Sequence, residues 1–244
     1  LQAFRNFLTR RTFAYKARNK AMNMFSSFEN FKAIRKKAED SRKDTNRPHE
    51  VLYFHKVDDP YSHLTIHFIE KFKSTYDVKF KSILVGEENP AALHEPSLYT
   101  DYCLEDVKRI APFYGVDFPG IDYPKKDLVN KANAILSAVS EEEFESIAKQ
   151  VSYAIWSGDQ EKLNSLGESY QTSEAEVIEK LKTGNEIRNN CDYYFGSAFY
   201  YEKELYWGVD RLNHLEDRLT ELGVNKTSEN APCLLYTSDA ADDW

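Results

Sequence analysis

The sequence predicts an α/β domain in which a β-α-β unit and a terminal β-β-α unit are separated by a long helical block. Three observations predict it: a strand that runs into a helix over 51–64, a hairpin followed by a helix over 197–223, and helical patterning between them. Val51, Leu52, Tyr53, Phe54 and Val57 supply the β-branched and aromatic run of a strand over 51–57. Asp59 has an N-cap side chain and Pro60 suits the first helical position, so a helix is expected from Pro60 to Tyr76. A second strand is expected from Val78 to Val85. The helical block spans roughly Tyr99 to Gly184, punctuated by Pro112, Gly115, Pro119, Pro124 and Gly158, with one helix opened by Ser140 and Glu141 to Glu143 in its first turn. Ser197–Tyr201 and Glu204–Tyr206 read as a hairpin turned at Glu202 and Lys203. The last helix is expected from Val209 to Leu222, stopped by Gly223.

Charge sets the domain boundary. Residues 1–50 hold 13 Lys/Arg against 5 Asp/Glu, whereas the remaining 194 hold 19 against 35. Residues 1–49 therefore read as a basic extension, in which Ala21, Met24, Phe28, Phe31 and Ile34 fall near helical spacing and the polar run Ser41–Pro48 is the linker. Residues 50–230 form the folded domain, its helical insertion lying at about 90–190. A basic amphipathic segment can suit nucleic acid or an anionic membrane surface, but the preferred reading is a helix packed on, or tethered to, the acidic domain. No nucleic-acid motif is present and the acidic domain repels phosphate, so nucleic acid is not an expected partner. No apolar stretch approaches the roughly 20 residues that span a bilayer, so no integral membrane segment is expected.

Residues 231–244 include Cys233-Leu-Leu-Tyr-Thr-Ser-Asp-Ala-Ala-Asp242, which resembles a translated transposase-type sequencing adapter and is left out of the fold. With Leu1 in place of Met, the expectation is a fragment cut at both ends. Cys103 and Cys191 then remain, 88 residues apart and outside any Cys-x-x-Cys or zinc pattern. That usage suits a reducing cytoplasm, with export left open, and predicts no metal.

Two further motifs carry a resemblance. The first strand ends in Asp59-Pro60-Tyr61-Ser62, and Tyr206-Trp207-Gly208-Val209-Asp210-Arg211-Leu212 opens the last helix. Together with Asp106–Ala111, Tyr114-Gly115-Val116 and Ala154–Asp159, they make the chain resemble, from about Glu50 to Gly223, the DsbA-like branch of the thioredoxin superfamily. The resemblance is to the 2-hydroxychromene-2-carboxylate isomerase and kappa-class glutathione transferase group, in which a Ser-Pro-Tyr-Ser-like tetrad opens the first helix. It implies a thioredoxin-like fold with a large helical insertion, glutathione as cofactor, and a small-molecule substrate. It also leaves room for a homodimer or a downstream second domain.

The resemblance assigns Asp59 and Ser62 to the catalytic positions. Pro60, Tyr61, Ser197 and Asp210 fall at the glutathione contacts: Ser197 stands where the group has a cis-proline, and Asp210 where it receives the glutamyl end. Chemistry qualifies each assignment. Attack on a disulfide needs a thiolate, which Asp59 cannot supply. A carboxylate there repels a thiolate unless it is protonated or serves as base toward a thiol, and Asp59 also reads simply as a cap. Ser62 reads as a hydroxyl on a helix face as readily as a nucleophile. The peptide before Ser197 is expected to be trans, since a cis bond without proline costs about 2.5–4 kcal/mol. Asp210 reads equally as a first-turn carboxylate that stabilises the last helix. His63 and His67, four apart, could share a metal, but no further ligand is placed by spacing. Three functions follow: a glutathione-linked isomerase or transferase, a non-catalytic binding or scaffold domain, and, least compatible with the residues, a disulfide oxidoreductase.

Overall fold

The computed structural model describes residues 13–86 and 95–226. The tail over 231–244 and the first 12 residues lie outside the described residues. The chain divides into two units, one up to Pro48 and one from His49 onward.

Among the described residues the first unit holds two helices, α1 (Phe13–Phe25) and α2 (Phe28–Asp44). The single amphipathic run expected from Ala21 to Ile34 is thus interrupted at Ser26 and Ser27. Ser27 explains the break: it is the N-cap of α2, and its hydroxyl accepts from the Asn30 amide at 3.2 Å. The expected linker also starts too early. Helix α2 continues to Asp44 because Arg42 forks onto Glu39 at 2.7 and 3.0 Å within the helix, and Thr45 closes it through a bond to the Ser41 carbonyl.

The second unit runs β1 (Glu50–His55), α3 (Pro60–Thr75), β2 (Lys79–Leu84), α4 (Pro96–Ile110), a 3-10 turn over Ala111–Tyr114, then α5 (Lys126–Ala138), α6 (Phe144–Ser157), α7 (Gln160–Ser169) and α8 (Glu174–Asn190). The chain then returns as β3 (Ala198–Tyr201), β4 (Glu204–Trp207), a 3-10 turn over Val209–Arg211, and α9 (Leu212–Glu221). The sheet order is β2-β1-β3-β4, with β1 parallel to β2 and antiparallel to β3, and β3 antiparallel to β4. This is the expected β-α-β, helices, β-β-α order, with strand boundaries within two residues. Glu202 and Lys203, at φ 44° and 72°, make the hairpin turn as expected, and both adopt the left-handed conformation of a type I′ turn.

The first strand closes at His55, not Val57, because Lys56–Asp58 already turn toward the helix cap. The Ser140 hydroxyl donates to the Glu143 carboxylate at 3.0 Å and accepts from the Glu143 amide at 3.3 Å, but residues 141–143 form a turn and α6 starts at Phe144. The core is aromatic where α3 meets the sheet. Phe72 stacks at 6.2 Å on Phe199 and lies 5.8 Å from Phe80. Glu145 of α6, almost fully buried, is held by Lys73 of α3 at 3.0 Å and Ser82 of β2 at 2.7 Å, so its charge is paired and hydrogen-bonded. Gly184 sets how closely α8 lies on β2: a Cβ there would fall 1.9 Å from the Leu84 carbonyl oxygen.

Candidate functional site

The tetrad sits where β1 hands over to α3. Asp59 caps the helix: Oδ1 accepts from the Tyr61 amide at 3.2 Å and Oδ2 from the Ser62 amide at 3.0 Å. Ser62 is buried, and its hydroxyl donates to the same Oδ2 at 2.7 Å while accepting from the Lys56 amide at 3.3 Å. The hydroxyl proton and a lone pair are therefore both engaged. Pro60 fills the first helical position, as its fixed φ requires. The Tyr61 phenol donates to Asp106 Oδ2 at 2.7 Å, and its ring meets Trp207 edge-on at 5.9 Å.

Opposite the tetrad lies the loop before β3. Gly196 approaches so closely that a Cβ would stand 2.8 Å from Lys56 Cβ and 2.9 Å from Asp59 Oδ2. Ser197 is fully buried at φ 50°; among the described residues no peptide is cis, as expected. Its hydroxyl pairs with that of Thr65 on α3 at 2.7 Å, and its carbonyl accepts from the Gly208 amide at 2.7 Å. Loop, α3 and β4 are thereby tied together at the position the resemblance assigns to cis-proline.

A cleft of about 40 Å³ remains between these parts, with Asp59, Pro60, Tyr99, Cys103, Phe195, Gly196 and Trp207 among its walls. That is room for about three waters. Phe195 stacks on Tyr99 at 5.3 Å and on Trp207 at 5.7 Å, so stacked aromatic rings form much of its wall. Ser197 and Asp210 do not line it. Asp210 is well exposed, with Arg211 Nε at 3.6 Å.

Cys103 is the residue the sequence did not point to. Helix α4 packs on α3 and brings this thiol to the tetrad, where burial pushes it up to about 11 while hydrogen bonds to Tyr99 and Tyr61 pull the other way; the Asp59 carboxylate adds to the rise. At neutral pH it is a thiol and a poor nucleophile. The signal was present as a helical face: Tyr99, Cys103 and Asp106 recur at i, i+4 and i+7. Cys191 lies at the end of α8 and is not part of the cleft.

Beneath the tetrad is a layer of histidines. His63 Nε2 lies 2.8 Å from the Asp117 carbonyl, to which it must donate, so Nδ1 accepts from the Ser152 hydroxyl at 2.9 Å. Its two nitrogens are thus committed to protein, and the described residues contain no group of three or more metal-ligating side chains. His67 meets the His63 ring edge-on at 5.2 Å, and burial pulls it down to about 4. His55 is pulled down to about 3, first by burial and then by His63.

No family model and no curated protein matches the sequence. Among solved structures, the chain is similar to a 2-hydroxychromene-2-carboxylate isomerase at TM-score 0.52 and 19% identity, covering 71% of this chain and 96% of the isomerase. It is also similar to a candidate protein disulfide isomerase from Nitrosomonas europaea at TM-score 0.52 and 13% identity, covering 72% of this chain and 99% of that one. At these identities the likeness is one of fold. The second unit has a DsbA-like thioredoxin fold with a helical insertion. Among the described residues no helix is long and apolar enough to cross a membrane.

Proposed function

We propose that this chain is a thioredoxin-fold binding domain whose tetrad caps a helix and carries out no thiol–disulfide exchange. One observation carries the reading: the donors at the start of α3 are taken by Asp59 itself, through the Tyr61 and Ser62 amides. In an oxidoreductase those N–H groups and the helix dipole stabilise a thiolate at the same place. A carboxylate there offers no sulfur to attack a disulfide and disfavours a thiolate arriving from solution. The nearest thiol, Cys103, is held protonated by its burial. The small cleft supports the same reading, since a tripeptide has no room without movement of Phe195 or Trp207.

The experiment is insulin reduction by the full chain, expected at the rate of a protein-free control. Reduction above that rate, abolished in a Cys103→Ser/Cys191→Ser double variant, would overturn the reading.

A glutathione-linked isomerase or transferase is the second reading, favoured by the fact that Asp59 and Cys103 face one cleft. A carboxylate that already neighbours one protonated thiol could accept the hydrogen of another and act as its base. Asp59 and Ser62 would then be the reactive pair, with Pro60, Tyr61, Ser197 and Asp210 holding glutathione. Calorimetry separates the two readings. The binding-domain reading expects no glutathione uptake by the natural chain or by Asp59→Ser, whereas tight binding by the natural chain makes the second reading the leading one. Binding gained only in Asp59→Ser means that the pocket persists and the carboxylate alone excludes the ligand.

A further inference from the structure

Among the described residues, the apolar side of α1 is uncovered: every residue from Tyr15 to Met24 is exposed. Lys16, Asn19, Lys20 and Asn23 recur at i, i+3, i+4 and i+7, which puts them on one side of the helix. Ala17, Ala21 and Met24, at i, i+4 and i+7, lie on the other, and Tyr15 and Met22 widen that apolar half beyond Arg18. Met22 and Met24 are 61% and 64% exposed, and Phe28, at the start of α2, is 64% exposed. A helix of 13 residues gains little in water from its own backbone bonds, so such a helix is stabilised by a surface that buries its apolar half.

Charge indicates what that surface is. Residues 13–44 carry nine Lys/Arg against four Asp/Glu, and α1 has three basic residues and no acidic one. In α2, Asp40 holds Lys36 at 2.7 Å, and Glu39 holds Arg42 at 2.7 Å and Lys43 at 3.3 Å. Lys16, Arg18 and Lys20 enter no ion pair among the described residues. Unpaired cations beside an exposed apolar half are the make-up of a helix that lies in the plane of a lipid interface. Arg18, within the apolar half, suits this too, since its stem can lie along that side while its head stays at the phosphates. Nucleic acid would meet the cations but leave Met22 and Met24 in water. The nearby rings are poor stacking platforms for bases, because Lys32 lies over Phe28 at 4.4 Å and Arg35 over Phe31 at 4.1 Å. A second copy would bring like charge against like.

We infer that α1 is a peripheral anchor that lays this chain on an anionic phospholipid surface: Tyr15, Met22 and Met24 at the boundary of headgroups and acyl chains, Lys16, Arg18 and Lys20 at the phosphates. The helix does not span, because its 13 residues rise about 20 Å against a hydrocarbon core of about 30 Å. The acidic second unit opposes the approach, but at physiological ionic strength salt screens its charge beyond about 8 Å.

The test is sedimentation of the full chain with vesicles of phosphatidylcholine alone and with vesicles that also carry about 30% phosphatidylserine. Binding is expected to the anionic vesicles only, and it should fall steeply in about 1 M salt, where the screening length is about 3 Å. Lys16→Gln/Lys20→Gln should weaken it about 25-fold, roughly fivefold for each charge. Met22→Ala/Met24→Ala, which leaves the charge unchanged and keeps good helix formers in place, should weaken it about tenfold. All four positions are exposed, so neither variant disturbs a core. The inference is overturned if the anionic vesicles bind no protein or no more than the neutral ones do. It is overturned equally if the methionine variant binds as well as the natural chain, since a contact made by charge alone is the kind nucleic acid makes. A dimer in sedimentation velocity that the methionine variant abolishes, with no vesicle binding, would assign the apolar half to a second copy instead.

Discussion

The tetrad and a cavity of about 490 Å³ at the carboxyl ends of β1 and β2 lie on either side of one short turn, yet they treat their polar groups in opposite ways. At the tetrad every polar atom has found a partner within the protein: Asp59 takes the helix amides, Ser62 bridges Asp59 and Lys56, and Tyr61 reaches Asp106. The space left over is small and walled by aromatic rings. Across the turn, Asn133 keeps a buried acceptor without a partner beside a cavity about twelve times larger. The fold name points to the first region, and open volume to the second. A fold name by itself therefore fixes no site.

Substitutions can break this contrast from either side. The largest effect is expected for Gly184→Ala, whose Cβ would meet the Leu84 carbonyl oxygen at 1.9 Å and push α8 off β2. Urea melts should show a loss of about 3 kcal/mol, and Asn185 should lose its bond to Gly86. An unchanged melt would mean that the α8 wall of the cavity is loosely held. Gly196→Ala attacks the tetrad side, where contacts at 2.8 and 2.9 Å include the movable Asp59 carboxylate, so a smaller loss of about 2 kcal/mol is expected.

Acid should weaken the histidine layer beneath the tetrad. His55 is held neutral by burial with a native value of about 3, whereas the unfolded residue titrates near 6.5. The contribution is therefore complete above about pH 6.5 and is lost as pH falls toward 3, at up to roughly 1.4 kcal/mol per pH unit, because only the unfolded chain takes up the proton. His67, lowered to about 4, acts in the same direction over a narrower range. His55→Phe should flatten this slope in urea melts taken across that window; a slope as steep as that of the natural chain would place the acid-sensitive group elsewhere. The smallest effect belongs to the cap. Asp59→Ala should cost about 1 kcal/mol and Asp59→Ser only a few tenths. Equal losses would show that the carboxylate serves more than the amides of α3.

How much was legible follows the reach of the interactions. Strands β1 to β4 and the cap at Asp59 are written in neighbouring residues, so a β-branched run, an Asp-Pro pair and a Gly stop announce them. The small errors have local causes as well: Ser27 caps a second helix inside an apparently continuous amphipathic run, and Ser140 closes a turn instead of opening a helix. Cys103 and Asn133 were hidden for another reason. Cys103 reads as an ordinary small residue on a helix until α4 is laid on α3. Asn133 reads as helix surface until the strand ends and α8 close around it. Both meanings depend on elements brought together from distant parts of the chain.

Chain order has a consequence for synthesis. The central strand β1 finds its first neighbour, β2, soon after it emerges, but its other edge waits for β3, with Leu52 opposite Tyr200, 148 residues later. At about 5–20 residues per second the delay is about 7–30 s. Throughout that interval an apolar strand carries an unsatisfied edge, the kind that recruits another chain. The helical insertion is thus also a clock: the five helices of its described residues have to collapse into a cover before the ribosome delivers the strand that completes the sheet.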